Sequence, residues 1–177
     1  MLATIQMMHE LSHIQISQIT QMTPAIKSLQ KAKINFSVHE YSHDPAAESY
    51  GLEAAEKMGV DAARVFKTLV VMLDTKDYAV GIIPVADMLS MKHIAKAAGA
   101  KKAAMADKSD VERITGYVLG GVSPLGQKKR LKTFIHSSAQ ELPTLFFSAG
   151  RRGLEIEMAP QDLKTQTQGQ FVDLTSL

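Results

Sequence analysis

The sequence contains no cysteine among its 177 residues, and this absence removes several kinds of chemistry. A chain without thiols forms no disulfide, ligates no metal through sulfur and offers no cysteine nucleophile. No apolar run approaches the roughly 18 residues that a membrane-spanning helix needs. Residues 1–21 also lack the basic start and continuous apolar stretch of a secretory signal. These absences favour a cytoplasmic protein without a membrane partner.

Excess charge is also small, because 20 basic residues face 18 acidic ones and the net charge is +2. A bulk attraction to nucleic acid is therefore not indicated, so we expect no DNA partner and expect any RNA contact to use a local basic patch. The length suits one domain. We interpret residues 1–21, which are rich in Gln, Ile, Met and His, as an N-terminal extension and residues 22–177 as the domain.

Hydrophobic periodicity predicts short helices and strands in mixed order. Thr23 followed by Pro24 is typical of a helix start. Residues 65–73 and 78–85, joined by a polar turn, predict an antiparallel hairpin. Further helices are predicted over residues 52–58, 90–98 and 107–116 and after Pro160, and further strands over residues 34–41, 103–105, 133–136, 144–147 and 154–158. No regular strand–helix–strand period occurs, which indicates an α+β fold with a mixed sheet.

The histidines do not indicate a metal site. His39 and His43 are four residues apart, as are His9 and His13, and this spacing binds zinc when both side chains lie on a helix. His39 falls at the end of a predicted strand and His43 beside a turn, so we interpret them as surface or hydrogen-bonded residues. No metal and no cofactor are predicted.

Neither candidate serine has the surroundings of a nucleophile. Ser123 precedes Pro124, which lacks the backbone N–H that would help to bind an oxyanion. Ser148 has no glycine two residues before it. The simplest interpretation of both is a loop serine that hydrogen-bonds to nearby backbone.

Lys67 is the most informative charged residue. A strand places it on the same face as Val65, Leu69 and Val71, where a charge is costly unless it reaches water or a partner. Two interpretations remain open from periodicity alone. Lys67 either extends its amine to solvent from an apolar face, or it is a cation in a polar pocket.

Two glycine-rich stretches carry adjacent cations. Gly120, Gly121 and Gly126 surround Ser123-Pro124 and precede Lys128, Lys129 and Arg130, whereas Gly150 and Gly153 bracket Arg151 and Arg152. Glycine lets backbone N–H groups approach an anion, and the cations could meet an RNA backbone. Ordinary tight turns with solvated charges are the alternative.

Several stretches together resemble the YbaK family. They are residues 22–25, 33–36, 39–45 and 65–69, the long signature GYVLGGVSPLGQKKRL at residues 116–131, and residues 147–157. The resemblance extends over roughly residues 22–175, and residues 1–21 have no counterpart. It implies a mixed, barrel-like β-sheet with surrounding helices, similar to the editing domain inserted in bacterial prolyl-tRNA synthetases.

The resemblance also implies an activity, namely removal of cysteine from mischarged Cys-tRNA(Pro) and also from Cys-tRNA(Cys). In this family the thiol of the substrate attacks its own ester, so no protein nucleophile is needed. The implied partners are the acceptor end of tRNA(Pro) carrying cysteine and, in a transient complex, prolyl-tRNA synthetase.

Family positions can be transferred one by one. Lys67 is the central catalytic position. The substrate-binding positions are Tyr41, Gly120, Gly121, Ser148, Gly150 and Glu155, and the proposed tRNA contacts are Lys128, Lys129, Arg130, Arg151 and Arg152. Glu155 stands where a family member has Asp, one methylene shorter.

Two alternatives stay open. The domain could edit another small aminoacyl-tRNA, such as Ala-tRNA(Pro), with water positioned by the enzyme. It could instead be a non-catalytic module that binds tRNA or a synthetase.

Overall fold

The order of secondary-structure elements agrees with the mixed pattern of the sequence. A computed structural model describes residues 22–176, in which five α-helices and eight strands occur. The helices are α1 (Pro24–Ala32), α2 (Tyr50–Met58), α3 (Met91–Ala97), α4 (Lys108–Thr115) and α5 (Pro160–Thr167). The strands are β1 (Ser37–Glu40), β2 (Phe66–Leu73), β3 (Tyr78–Pro84), β4 (Ala103–Met105), β5 (Lys132–His136), β6 (Leu145–Arg151), β7 (Leu154–Met158) and β8 (Gln170–Val172).

The ends of the helices follow local capping chemistry. The Thr23 side chain accepts a hydrogen bond from the backbone N–H of Ile26 at 3.2 Å, which confirms the predicted start of α1. Ser49 caps α2 in the same way, and Gly59 ends that helix with φ +66°. Helix α2 therefore begins two residues before the predicted Leu52.

The strands form two sheets. One has five strands in the order β4-β2-β3-β5-β8, with β5 parallel to both β3 and β8. The other has three antiparallel strands in the order β1-β7-β6. A bridge between Val65 and Phe146 joins the sheets, so the expected mixed, barrel-like architecture is two linked sheets rather than one closed sheet. The hairpin of β2 and β3 is confirmed.

The main core lies where both sheets meet α1. Ile82 and Ile135 from the larger sheet and Phe147 and Ile156 from the smaller one are fully buried there, together with Leu29. A second cluster covers the other face of the larger sheet beneath α3. A third cluster places α2 against the junction of the sheets and contains Ala54, Ala55, Val65, Val85 and Phe146.

Two predicted strand limits were wrong. Residues 34–36 are not in a strand: the Ile34 N–H still donates to the Leu29 carbonyl of α1, and pairing with β7 begins only at Ser37. Strand β6 continues past the predicted end at residue 147 to Arg151, so residues 148–151, which include the predicted loop serine Ser148, are in a strand. Strand β8 and a 3-10 helix over Ser137–Glu141 are not predicted by the sequence patterns.

Some predictions concern residues that the structure does not describe. The interpretation of residues 1–21 as an extension, with His9 and His13, lies outside the described range. Within residues 22–176, no helix is both long enough and apolar enough to cross a membrane.

A buried carboxylate anchors the loop between β1 and α2. Glu53, only 7 % exposed, hydrogen-bonds with His43 Nδ1 at 2.8 Å, accepts from the Asp44 backbone N–H at 2.6 Å and pairs with Lys57 Nζ at 3.1 Å. Burial alone would raise the pKa of this carboxyl, but these hydrogen bonds outweigh burial and lower the pKa of Glu53 to about 2. The ionised form of Glu53 therefore holds the loop in place.

Glu53 should make the stability of the fold depend on acid pH. Its pKa is lowered from 4.5 in the unfolded chain to about 2 in the folded protein. The stabilisation should therefore be complete above about pH 4.5 and decline as the pH falls towards 2. The free energy of unfolding, measured with urea at pH 7 and at pH 3, should fall less between these two pH values for Glu53→Gln than for the parent.

The control for this measurement is Glu56→Gln, which removes an exposed carboxylate from the same helix. It should keep the parental pH dependence. Equal acid sensitivity of the parent and Glu53→Gln would contradict the anchoring role.

Candidate functional site

A cleft of about 300 Å³ lies where the start of α2, the start of β2 and the edge of the smaller sheet converge. Its remaining wall comes from residues 117–131, which we call the glycine-rich segment. The lining consists of Tyr41, Glu48, Ser49, Tyr50, Gly51, Val65, Phe66, Lys67, Thr68, Leu69, Leu119, Gly120, Val122, Ser148 and Glu155. Five predicted site residues are thus brought together, namely Tyr41, Lys67, Gly120, Ser148 and Glu155.

Lys67 is held at the cleft by backbone. Its amine donates a hydrogen bond to the carbonyl oxygen of Val85 at 3.2 Å, and the side chain is partly buried. Desolvation lowers the pKa of Lys67, while the carboxylate of Asp87 acts in the opposite direction. The cation therefore lines a pocket, as the second interpretation of its position in the sequence predicts.

Glu155 is the buried carboxyl of the cleft. It lies on the central strand β7, opposite His39 of β1 and Ser148 of β6, and is 7 % exposed. Within residues 22–176 no group hydrogen-bonds to its carboxyl, and burial raises the pKa of Glu155 to about 8. At neutral pH most of the population is protonated, so this side chain can donate a hydrogen bond to a ligand.

Tyr41 follows β1 and lies close enough to Glu155 to sense its charge. Burial, followed by the carboxylates of Glu155 and Glu53, raises the pKa of Tyr41 to about 12, with a backbone hydrogen bond from Gly153 opposing them. The phenol is therefore neutral at physiological pH and can donate a proton in a hydrogen bond.

Ser148 stands at an irregularity of β6. The register of β6 with β7 shifts between Ser148 and Arg151, and the Ser148 hydroxyl accepts a hydrogen bond from the Gly150 N–H at 3.1 Å. The local backbone bond predicted for this serine is confirmed, although it forms in a strand. Bulges of this kind often redirect side chains at functional sites.

Gly150 and Gly121 support the cleft from behind and are not among the residues that line it. Gly150 has φ +116°, and a Cβ there would come within 2.7 Å of the Tyr117 ring. A Cβ on Gly121 would lie 3.0 Å from Arg151 Cα. Both glycines therefore let the glycine-rich segment pack directly on β6.

A hydrogen bond closes the glycine-rich segment on itself. The hydroxyl of Tyr117 donates to the carbonyl of Leu125 at 2.6 Å. Ser123 is fully buried beneath this contact and accepts from the Leu125 N–H at 3.4 Å, which confirms its predicted local role. These hydrogen bonds hold the glycine-rich segment in one conformation where it forms the wall of the cleft.

The start of α2 contributes lining residues that the sequence analysis missed. Gly51 is required there because a Cβ would lie 2.3 Å from Val85 Cγ1. Tyr50 is exposed, and the Arg152 guanidinium lies 4.1 Å from the centre of its ring. The available signal was an aromatic residue and a glycine directly after the capping residue Ser49, at the start of a short helix.

The predicted RNA-contacting cations divide into two locations. Arg152 lies at the cleft, where it also donates to the Leu119 carbonyl at 3.0 Å, and Arg151 is exposed and 3.7 Å from a carboxylate oxygen of Glu40. Arg130 instead lines a different cavity. Lys128 and Lys129 precede it, and their backbone N–H groups donate to the end of α4 at Thr115 and Ile114.

The two histidines near the cleft hydrogen-bond to carboxylates on different secondary-structure elements. His39 Nε2 hydrogen-bonds with Glu157 at 2.9 Å, and His43 hydrogen-bonds with Glu53. The interpretation of both as hydrogen-bonded residues is confirmed. Among the described residues, no group of three or more metal-ligating side chains is arranged to hold a metal.

The cleft can therefore stabilise negative charge without a protein nucleophile. Lys67 supplies a partly buried cation, and Tyr41 and protonated Glu155 supply neutral donors. The first N–H groups of α2, at Tyr50 and Gly51, lack partners within the helix and lie at the same cleft. Preorganised donors of this kind favour a reaction in which an oxyanion develops.

Comparisons with known proteins agree with this interpretation. The family model described as the aminoacyl-tRNA editing domain matches residues 44–165. EbsC of Enterococcus faecalis, a candidate Cys-tRNA(Pro)/Cys-tRNA(Cys) deacylase, is 36% identical over 159 residues, which are 88% of this chain and 94% of EbsC. YwhH of Bacillus subtilis is 28% identical over 111 residues, 63% of this chain and 70% of YwhH.

Solved structures show the same fold at low sequence identity. The hypothetical protein APE2540 is 20% identical with a TM-score of 0.78, covering 87% of this chain and 100% of that protein. A candidate trans-editing enzyme for prolyl tRNA synthetase is 20% identical with a TM-score of 0.75, covering 89% of this chain and 100% of that structure.

The family match covers most of the chain and includes the residues between Glu48 and Glu155 that line the cleft. The chain belongs to the aminoacyl-tRNA editing domain family.

Proposed function

We propose that this protein is a trans-editing deacylase that removes cysteine from mischarged Cys-tRNA(Pro), and also from Cys-tRNA(Cys). The observation that carries the proposal is the cleft, which joins a desolvated lysine to neutral donors and backbone N–H groups. The extensive identity to a candidate deacylase of these two substrates supports the choice of amino acid. A synthetase distinguishes cysteine from proline poorly because their sizes are similar, so a second filter is useful.

The proposed reaction uses the substrate's own sulfur. The cysteinyl thiol loses its proton, and the thiolate attacks the ester carbonyl carbon. The carbonyl oxygen becomes an oxyanion, and its collapse breaks the bond to the ribose oxygen, which takes up a proton and leaves as a hydroxyl of the tRNA. The released thiolactone then adds water, the C–S bond breaks, and free cysteine results.

The residues of the cleft have separate tasks in this proposal. Lys67 stabilises the oxyanion together with the N–H groups at the start of α2. Tyr41, Ser148 and Glu155 bind the polar groups of the aminoacyl moiety, and Gly120 keeps the wall close to it. Gly121 and Gly150 contribute through backbone packing. The sulfur must be held near the carbonyl, since orientation supplies much of the rate in intramolecular attack.

A panel of matched substrates tests the activity itself. We expect purified protein to deacylate Cys-tRNA(Pro) much faster than Ala-tRNA(Pro), and to leave Pro-tRNA(Pro) intact. The measurement is the release of radiolabelled amino acid under single-turnover conditions. Faster cleavage of Ala-tRNA(Pro) would replace cysteine by alanine as the substrate, and no cleavage of any of them would indicate a binding module.

Lys67→Met should reduce kcat by about 100-fold or more, because removal of one preorganised oxyanion donor has an effect of this order. The methionine preserves most of the side-chain volume, so the melting temperature should change little. The control is Lys92→Met, which removes an exposed charge from α3. Full activity of a folded Lys67→Met protein would exclude the assigned role.

The substrate-thiol mechanism predicts that Ser-tRNA(Pro) reacts far more slowly than Cys-tRNA(Pro). The two side chains have similar size, but a hydroxyl is a much poorer nucleophile near neutral pH than a partly ionised thiol. Single-turnover rates on both substrates, with an added amine to trap the thiolactone, make the comparison. Similar rates and no trapped adduct would favour attack by a positioned water.

A further inference from the structure

A second cavity, of about 240 Å³, lies on the other side of the glycine-rich segment and shares no lining residue with the cleft. Its polar walls come from four parts of the chain. Ser28 belongs to α1, Gln127 and Arg130 to the glycine-rich segment, Thr133 to β5 and Gln166 to α5. Residues that are distant in the sequence therefore converge on one polar space.

The groups in this cavity are suited to an anion. Arg130 is its charged lining residue, and no aspartate or glutamate lines it. Within residues 22–176, the side chains of Arg130, Ser28 and Gln166 make no hydrogen bond or ion pair with protein. Each can donate, and a guanidinium presents its donors in a planar fork that matches a phosphate. The donors are thus available to an external ligand.

The side chains of Gln127 and Thr133, which also line the cavity, donate hydrogen bonds to backbone carbonyls of the protein. The Gln127 amide donates to the Ser123 carbonyl at 3.0 Å, and the Thr133 hydroxyl donates to the Leu131 carbonyl at 3.0 Å. Both interactions stay within the glycine-rich segment and its junction with β5. They fix the backbone that carries Arg130.

Three lysines lie near the cavity, while Asp162 lies one helical turn before Gln166 on α5. Lys128 and Lys129 precede Arg130, and Lys31 lies one helical turn after Ser28 on α1, hence on the same face. These lysines are exposed, and within the described range none of them forms an ion pair. A local field of this kind attracts a polyanion although the net charge of the chain is only +2.

We propose that the Arg130 cavity is a phosphate-binding subsite for the RNA strand that enters the cleft. The proposal rests on the proposed function, because it assumes that the aminoacyl end of a tRNA occupies the cleft. Val122 lines the cleft and Pro124, two residues later, lines the cavity, so the glycine-rich segment is a common wall of both spaces. In this proposal a phosphodiester near the aminoacylated end of the tRNA binds Arg130, while Ser28 and Gln166 donate hydrogen bonds to its oxygens.

The test compares two substrates that share the cysteinyl-adenosine end but differ in whether an RNA strand, with its phosphates, is attached to it. Cys-tRNA(Pro) carries the full RNA strand, whereas cysteinyl adenosine, the ester of the nucleoside alone, has no phosphate. Arg130→Gln should reduce kcat/KM on Cys-tRNA(Pro) by roughly 10-fold and leave the adenosine ester unchanged, because only the tRNA reaches the cavity. The slope of log affinity against log salt should flatten by about one.

Matched variants separate a local effect from a loss of charge. Lys76→Gln removes one exposed charge from the turn between β2 and β3 and should behave like the parent with both substrates. Arg130→Lys should restore part of the activity on tRNA. Unchanged melting temperatures would establish that the variants fold.

Three outcomes would overturn the subsite. They are an equal loss on both substrates, no loss on tRNA, and saturable binding of inorganic phosphate that depends on Arg130 without any effect of Arg130→Gln on tRNA. If the parent cleaves neither substrate, the proposed function fails instead. The affinity for tRNA that carries no amino acid can still be measured at several salt concentrations for the parent and Arg130→Gln. This comparison then decides whether the cavity binds RNA phosphate.

Discussion

The close packing of the glycine-rich segment on β6 is the constraint on which the site depends. Tyr117 lies against Gly150 and donates its hydroxyl to Leu125, and Gly121 lies against the backbone of Arg151. Side chains at either glycine would push the segment away from the sheet. Because the segment is the wall between the cleft and the Arg130 cavity, its position sets the shape of both.

The chemistry of the cleft comes from desolvation. Lys67 and Glu155 carry opposite formal charges, yet burial moves both towards neutrality, lowering the pKa of Lys67 and raising that of Glu155 to about 8. Neither side chain forms an ion pair with the other. A site of this kind suits a substrate that is neutral at the ester and develops negative charge during the reaction, since charge stabilisation is strongest where water is excluded.

The loop anchored by Glu53 forms part of the edge of the same cleft. Glu53 connects the loop after β1 to α2 through His43 and the backbone of Asp44. The loop leads from Tyr41 to Ser49, and both of these line the cleft. The N–H groups proposed to bind the oxyanion lie at the start of α2, and the buried, ionised Glu53 holds the loop that leads into this helix. Arg152 stacks on Tyr50 beside the same cleft.

Local patterns in the sequence determined most of the elements and several of the helix ends. The caps at Thr23 and Ser90, the hairpin of β2 and β3 and the unusual position of Lys67 all follow from short-range chemistry or from a period of two. The resemblance of residues 116–131 to a known family indicated the fold and the activity. Strand limits were less predictable, because they depend on where pairing with another strand begins and ends, as it does for β1 at Ser37 and Glu40.

Only the tertiary structure decided which residues meet. Glu155 reads as one of two similar glutamates in β7, yet it is buried and lines the cleft together with the start of α2, whereas Glu157 is partly exposed. Tyr50 and Gly51 reach the cleft because α2 packs against Val85. Arg130 and Arg152 look alike beside their glycines but lie at different cavities. Sequence patterns report the periodicity of one element, whereas burial and proximity arise from contacts between elements that are distant along the chain.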